Sequence, residues 1–209
     1  KKDIKFSATN LSLYESCPLL FKYNIIDKIG LKDYKPAASV GIFVHKVLEI
    51  AFKEKTIDDN SINDILDEIW DDSFFENKIQ SIEYFKEVRE IISDYFKFNT
   101  IEPDVTYYME KDVQVNLGSN ICRGKIDRVD VHKDGIIEII DYKTSKKKKT
   151  KKATKKDMQL AYYSYILSKI NTKVFKQKIP DKSSFDFVQF SEDSKTTVKF
   201  TDNDIAETE

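Results

Sequence analysis

Asp127, Asp141 and Lys143 are the residues through which this chain could do chemistry. They fall in Gly124-Lys125-Ile126-Asp127-Arg128-Val129-Asp130 and, after a short turn, in Ile136-Ile137-Glu138-Ile139-Ile140-Asp141-Tyr142-Lys143. Two carboxylates can hold a hard divalent cation through oxygen ligands. Such a cation lowers the pKa of a water and neutralises charge on a phosphate. A lysine beside it offers a compact positive charge to the attacking water or to the scissile phosphate. Together they are the equipment of metal-dependent phosphodiester hydrolysis. An Asp-x-Lys also occurs wherever a strand end emerges into solvent, so the surrounding elements decide between the two readings.

Those elements read as two adjacent strands. Cys122 to Val131 is β-branched and roughly alternating, His132-Lys133-Asp134-Gly135 is a turn with an Asp-Gly step, and Ile136 to Asp141 is the second strand. Residues two apart in a strand share a face, so Asp141 and Lys143 point one way and Tyr142 the other. The apolar run Ile136 to Ile140 predicts a central strand covered on both sides. Upstream, a helix is expected from about Thr9 to Tyr23, then a loop with Gly30, Tyr34 and Pro36, then a helix from Val40 to Lys53. Ser61 to Phe75, with Ser61 as a plausible N-cap, and Ile82 to Asn99 carry apolar residues at helical spacing. A strand at about Thr106–Asn116 precedes the pair. A helix at about Lys156–Ile170, a hairpin of Phe185–Phe190 with Thr196–Phe200, and a helix starting at Thr201-Asp202-Asn203-Asp204 follow.

Five blocks in this order resemble the PD-(D/E)XK nuclease superfamily, and within it the RecB-like branch. They are the opening segment Ser7 to Tyr23 with Leu11, Tyr14, Cys17-Pro18 and Phe21-Lys22-Tyr23; the Gly-x-x-x-His of Gly41 to His45; Gly124 to Asp130; Asp141-Tyr142-Lys143-Thr144-Ser145; and Gln159 to Tyr163. The set spans residues 7 to 163, and its order is more specific than any one block. The resemblance implies that His45, Asp127 and Asp141 are metal ligands, joined by the Tyr142 carbonyl. It implies that Lys143 is the catalytic lysine and that Gln159 and Tyr163 position it or the DNA. The implied metal is magnesium, with manganese as a substitute. A second ion would need His45, with Glu49 a further candidate.

Taken without the resemblance, His45 on so apolar a helix reads as a hydrogen-bonded core residue. Glu49, one turn on, reads equally as a partner of His45, a ligand or a surface charge.

A chain of 209 residues with 40% hydrophobic and 34% charged residues has the composition of a soluble globular protein large enough for a real core. No apolar run approaches the ~18–20 residues of a membrane span. No signal peptide is visible, and a cytoplasmic, nucleoid-associated setting is expected. The chain opens Lys-Lys-Asp instead of with Met, which points to a fragment or processed form. Cys17 and Cys122 are too few for an iron–sulfur cluster of the kind some relatives hold, which needs four ligands. No cluster is expected, and Cys17 reads as a small buried hydrophobe.

The net charge of −1 conceals two opposed regions. Glu54 to Glu110 carries 16 acidic residues against 5 basic ones, the solvated faces of two helices. Tyr142 to Lys178 carries 13 lysines against Asp157 alone. Lys146, Lys147, Lys148, Lys149, Lys151 and Lys152 are the densest part and read both as a mobile solvated loop and as a funnel for a phosphate backbone. Tyr163 could stack on a base or bond a phosphate.

The expected fold is α/β, a central mixed β-sheet flanked by helices with a restriction-endonuclease-like core and an N-terminal helical region. Residues 1–209 form one domain, mainly helical over 1–103, with the catalytic sheet and its following helix and hairpin over 104–209. The resemblance implies a magnesium-dependent deoxyribonuclease, an exonuclease of DNA recombination or repair, covalently linked to or associated with a helicase of UvrD/Rep or RecB/AddB type. Its DNA partner would be single-stranded or double-stranded ends. The competing reading is a catalytically inactive nuclease-like module that binds DNA or serves a structural role in a helicase complex.

Overall fold

A computed structural model describes residues 5–29, 36–55, 57–118 and 120–206. Gly30 and Tyr34 of the expected loop lie outside them. In chain order the elements are β1 (Lys5–Phe6), α1 (Ala8–Ser16), α2 (Pro18–Phe21) with a π-turn at Lys22–Ile26, α3 (Pro36–Glu54), α4 (Asp59–Ile69), a 3₁₀ turn at Asp72–Phe74 and α5 (Lys78–Phe98). Then come β2 (Val105–Leu117), β3 (Asn120–His132), β4 (Ile137–Lys143), α6 (Lys151–Lys155), α7 (Met158–Ser168), β5 (Lys182–Phe187), a 3₁₀ segment at Val188–Asp193, β6 (Lys195–Val198) and α8 (Asp202–Ala206).

The sheet is mixed, as the sequence predicts. β2, β3 and β4 form an antiparallel meander, and the His132–Gly135 turn closes with Gly135 at φ 84°, where glycine carries no Cβ penalty. β4 pairs with β5 in parallel through the α7 crossover, and β6 returns antiparallel along β5. β1, which the sequence did not reveal, adds Lys5 and Phe6 in parallel beside Ile121 and Cys122.

An apolar layer covers each face of the sheet. On one side α7 packs Leu160, Tyr163, Ile166 and Leu167 against Ile126, Val129, Ile139 and Phe185. On the other side α3, α4 and α5 cover Met109, Ile140 and Tyr142. α3 buries Val40, Phe43, Val44, Val47, Leu48, Ala51 and Phe52, and the larger of these side chains contribute about 1.5–3 kcal/mol each when removed from water. Among the described residues no helix is long and apolar enough to cross a membrane.

Several local expectations need correction. The opening helix is broken: Cys17 sits extended at φ −161°, ψ 102°, because Pro18 offers no N–H and excludes the residue before it from helical geometry. Cys17 is consequently exposed instead of buried. The N-cap of α4 is Asp58, and Ser61 is its reciprocal partner in a capping box. The lysine run is not wholly a loop: Thr150 caps the short helix α6, with Thr154 buried beneath it.

Candidate active site

Three elements converge on Asp127. The β2–β3 ladder runs from Val105 opposite His132 to Leu117 opposite Asn120 and omits one step, Glu110 opposite Asp127. Glu110 lies at φ 49°, a left-handed backbone that costs a non-glycine residue about 1–2 kcal/mol. Alternation changes phase across this step. Ile126 and Val129 both face the α7 side although three residues apart, as do Tyr108 and Val113, five apart. The kink lets Glu110 and Asp127 leave strict up-and-down alternation and meet the helix above them. One ligand atom each of His45, Glu110 and Asp127 lies within 4.8 Å of the others.

His45 arrives from α3. Gly41 lies beside Thr144, just past the end of β4, where a Cβ would stand 3.4 Å from Thr144 Oγ1, an ordinary contact. One turn later His45 Nδ1 lies 3.5 Å from Asp127 Oδ2, and the ring stands edge-on to Tyr142 with centroids 5.8 Å apart. Burial holds its pKa below the ordinary 6.5, which keeps the imidazole neutral with a lone pair free for a metal. Asp127 Oδ2 also accepts the Tyr142 backbone N–H at 2.9 Å. Glu49 lines the same cavity as His45, and its carboxylate accepts Lys46 at 2.9 Å and Lys53 at 2.5 Å.

Asp141 and Lys143 share the other side of β4, as the strand period requires. The Asp141 side chain is only 2% exposed. Its Oδ1 accepts Gln159 Nε2 at 2.6 Å, and its Oδ2 meets the Lys143 ammonium but receives no aligned hydrogen bond. Lys143 Nζ donates to Gln159 Oε1 at 3.0 Å, so one amide holds both charges. Gln159 is presented by the first turn of α7, where the Asp157 carboxylate accepts its backbone N–H at 2.9 Å. Tyr163 follows one turn later, its hydroxyl 3.4 Å from Gln159 Nε2. A Cβ at Gly124 would stand 2.9 Å from the Tyr163 ring, so Gly124 is what admits that ring against β3.

The electrostatics call for a cation. Burial, then repulsion from Asp127, pushes the Asp141 carboxyl up to about 7. Burial pushes Asp127 up to about 6 against the pull of the Tyr142 N–H. Burial also raises the Tyr163 phenol to about 12, so it acts only as a neutral hydroxyl. Two buried carboxylates pushed up in this way lack compensating positive charge, which a divalent ion would supply. The donor set of one imidazole nitrogen and several hard oxygens suits magnesium or manganese.

The sequence-predicted residues therefore fall into two linked groups, His45 with Asp127 and the Tyr142 peptide, and Asp141 with Lys143, Gln159 and Tyr163. Glu110 is the residue that sequence reasoning missed. A cavity of about 750 Å³ opens on Asp127 between Gly41, His45, Glu110 and Lys125. A second of about 630 Å³, lined by Thr9, Gln114, Arg123 and Tyr163, shares Lys125 with it. The lysine run divides. Lys148 pairs with Asp193 at 2.7 Å and Lys149 with Asp157 at 2.6 Å, whereas Lys146, Lys147, Lys151 and Lys152 are exposed and make no such pair among the described residues.

Comparison with known proteins bears on the fold and the family. A crystal structure from Eubacterium rectale named "Putative exonuclease" aligns with a TM-score of 0.57 at 16% identity, covering 98% of this chain and 76% of that one. At that identity the likeness speaks for the fold alone. The crystal structure of SSO0001 aligns over 100% of this chain and 74% of that one at 12% identity, with a TM-score of 0.40 that carries no argument. No curated protein matches. The family model of the PD-(D/E)XK nuclease superfamily matches residues 5–207, nearly the whole described chain. Membership implies a divalent metal and a nucleic-acid substrate, and the His45–Glu110–Asp127 cluster and raised carboxylates fit that metal. This chain belongs to the PD-(D/E)XK nuclease superfamily.

Proposed function

We propose that the protein is an active magnesium-dependent deoxyribonuclease of the RecB-like branch, with residues 1–209 as one nuclease domain. The observation that carries this reading is the meeting of His45, Asp127, Asp141, Lys143 and Gln159, from four elements spread over more than a hundred residues, in two adjoining groups close enough for Asp127 and Asp141 to repel each other. A module that had lost catalysis would have no need to keep two buried carboxylates at this electrostatic cost.

His45, Glu110, Asp127 and the Tyr142 carbonyl would hold the ion, with Asp141 adjoining from the far side of β4. When bound, the ion supplies Lewis-acid charge to the phosphate and to the attacking water. Lys143 places its ammonium where negative charge develops. Gln159 keeps Lys143 and Asp141 in register. Tyr163 offers a neutral hydroxyl at the cavity shared with Thr9 and Arg123. Lys146, Lys147, Lys151 and Lys152 attract the phosphate backbone without reading bases. The name carried by the Eubacterium rectale structure supports an exonuclease. Trimming of DNA ends in recombination or repair, beside a linked or associated helicase, is the context the sequence resemblance supports.

The test is degradation of end-labelled single- and double-stranded DNA with magnesium, manganese or chelator, by wild type and Asp141→Ala in parallel. Metal-dependent cutting that the variant lacks is expected. Cutting that persists in the variant would sink the assignment. A wild type that binds DNA without cutting it would favour the inactive-module reading.

A further inference from the structure

Behind the site lies a charged cluster that nucleic acid cannot reach. Arg128, the residue after Asp127, turns to the α3 face of the sheet and is almost wholly buried. Its Nε and Nη2 donate to Asp130 at 2.6 and 2.5 Å, and its Nη1 donates to the Tyr142 hydroxyl at 3.1 Å. The guanidinium carbon lies 3.8 Å from the centroid of the Phe52 ring and 5.0 Å from that of Tyr107. Tyr95 completes the layer by donating to Asp186 at 2.7 Å.

Burying a charge in an apolar core is a poor way to gain stability, because a well-packed hydrophobic replacement is often as stable or more so. The cluster therefore calls for a role in orientation. The bond to Tyr142 gives one. The Tyr142 side chain points back to Arg128, while its peptide faces the site and donates its N–H to Asp127 Oδ2 at 2.9 Å. Arg128 and Asp127 are neighbours on β3, and Arg128 is opposite Ile140 on β4. A single residue thus grips β4 through the Tyr142 ring beside the point where the Asp127 carboxylate is oriented. The β2–β3 ladder is interrupted at Asp127, so the strand has lost its own means of holding that carboxylate in place.

We propose that Arg128, acting through the Tyr142 hydroxyl, is a positioning residue that sets the Tyr142 peptide and through it the Asp127 carboxylate for metal binding. The inference rests on the nuclease reading above. Neither side chain touches substrate or metal. The hydroxyl is a removable link, since Tyr142→Phe keeps the ring and deletes only the bond to Arg128. Losing such an outer hydrogen bond lowers metal affinity by about 10- to 100-fold in metal sites generally.

The test measures manganese affinity by calorimetry and kcat and KM on labelled DNA, for wild type, Asp127→Ala, Tyr142→Phe and Val88→Ala. Val88 is fully buried in the same apolar layer, has no side-chain group that could bond Arg128, Asp130 or Tyr142, and serves as a packing control of lowered stability. Melting curves choose a temperature at which all are folded. The expected result is that Tyr142→Phe loses manganese affinity and kcat by about tenfold, with KM for DNA unchanged, while Val88→Ala loses neither. Arg128→Lys, which keeps the charge and loses the fork, should fall on the same side as Tyr142→Phe. Manganese affinity and kcat within twofold of wild type in Tyr142→Phe would overturn the proposal, as would equal losses in Val88→Ala. If wild type and Asp127→Ala bind manganese alike, the nuclease reading itself fails and the proposal with it. If they differ and Tyr142→Phe matches wild type, only the positioning role fails.

Discussion

Replacing Asp127 with Asn should make the metal-free protein more stable at pH 8. The Asp127 carboxyl is pushed up from the ordinary 3.8 to about 6, chiefly by burial. The folded state therefore binds this proton more tightly than the unfolded state, and stability falls as pH rises from about 4 to about 6 and stays low above that. The gap corresponds to about 3 kcal/mol at roughly 1.4 kcal/mol per pH unit. Asn keeps the shape and an oxygen to accept the Tyr142 N–H, but it buries an amide that lacks a full set of partners, at about 1–2 kcal/mol. A net gain of about 1–2 kcal/mol remains, or about 0.5–1 M in urea midpoint for an m-value near 2 kcal/mol/M. The assay is urea unfolding in chelator at pH 5, 6.5 and 8. The advantage of the variant should shrink toward pH 5, where the wild-type carboxyl regains its proton. Manganese should reverse the order, since an ion at a hundred times its Kd adds about 2.7 kcal/mol to the protein that binds it. A variant less stable than wild type at pH 8 in chelator would refute the electrostatic account of the pocket.

Two further predictions concern Tyr163 and the lysines. Gly124→Ala puts a methyl 2.9 Å from Tyr163 Cε1 and 3.1 Å from Ile166 Cδ1, an overpacking that should cost about 1–3 kcal/mol in denaturant midpoint. Adding Tyr163→Leu should recover part of that loss, and an unimpaired Gly124→Ala would show that the ring is free to move. Lys146, Lys147, Lys151 and Lys152 changed together to Ser should reduce the salt dependence of DNA binding by about 0.7–0.9 in log–log slope for each phosphate no longer neutralised. Lys148 and Lys149, already paired, should contribute less to that slope, and equal effects from both sets would contradict this division of the run.

The legible part of the site was the part written in local pattern. Asp-Tyr-Lys at the end of an apolar strand fixes which side chains share a face, and Gln159 and Tyr163 lie one turn apart on α7. His45 was harder, because α3 is apolar nearly all round and only its spacing from Gly41 marked it. Glu110 left a trace that went unread. In β3 the apolar positions run through Cys122 and Ile126 and then through Val129 and Val131, whereas in β2 Tyr107, Met109, Val113 and Val115 keep one alternation although the first two face the α3 layer and the last two the α7 layer. Only β3 thus changes phase in its sequence, which regular alternation does not do, and the change marks the kink where Glu110 meets Asp127. Cys17 went wrong because a helical pattern was carried through Pro18. The lysine run was read by charge alone, which hid the cap at Thr150.

The apolar layer of α3, α4 and α5 is shared with Met109, Ile140 and Tyr142 of the sheet, so the helical half of the chain completes its core on the sheet. The two halves are joined by one covalent passage, the short connection from Asn99 to Asp104. Cutting it would leave His45 on one fragment and Glu110, Asp127, Asp141 and Lys143 on the other. Neither piece could assemble the pocket, yet each would carry half of the surface that recognises its counterpart. Reassembly of the pieces and restoration of the His45–Glu110–Asp127 cluster would then be the same event.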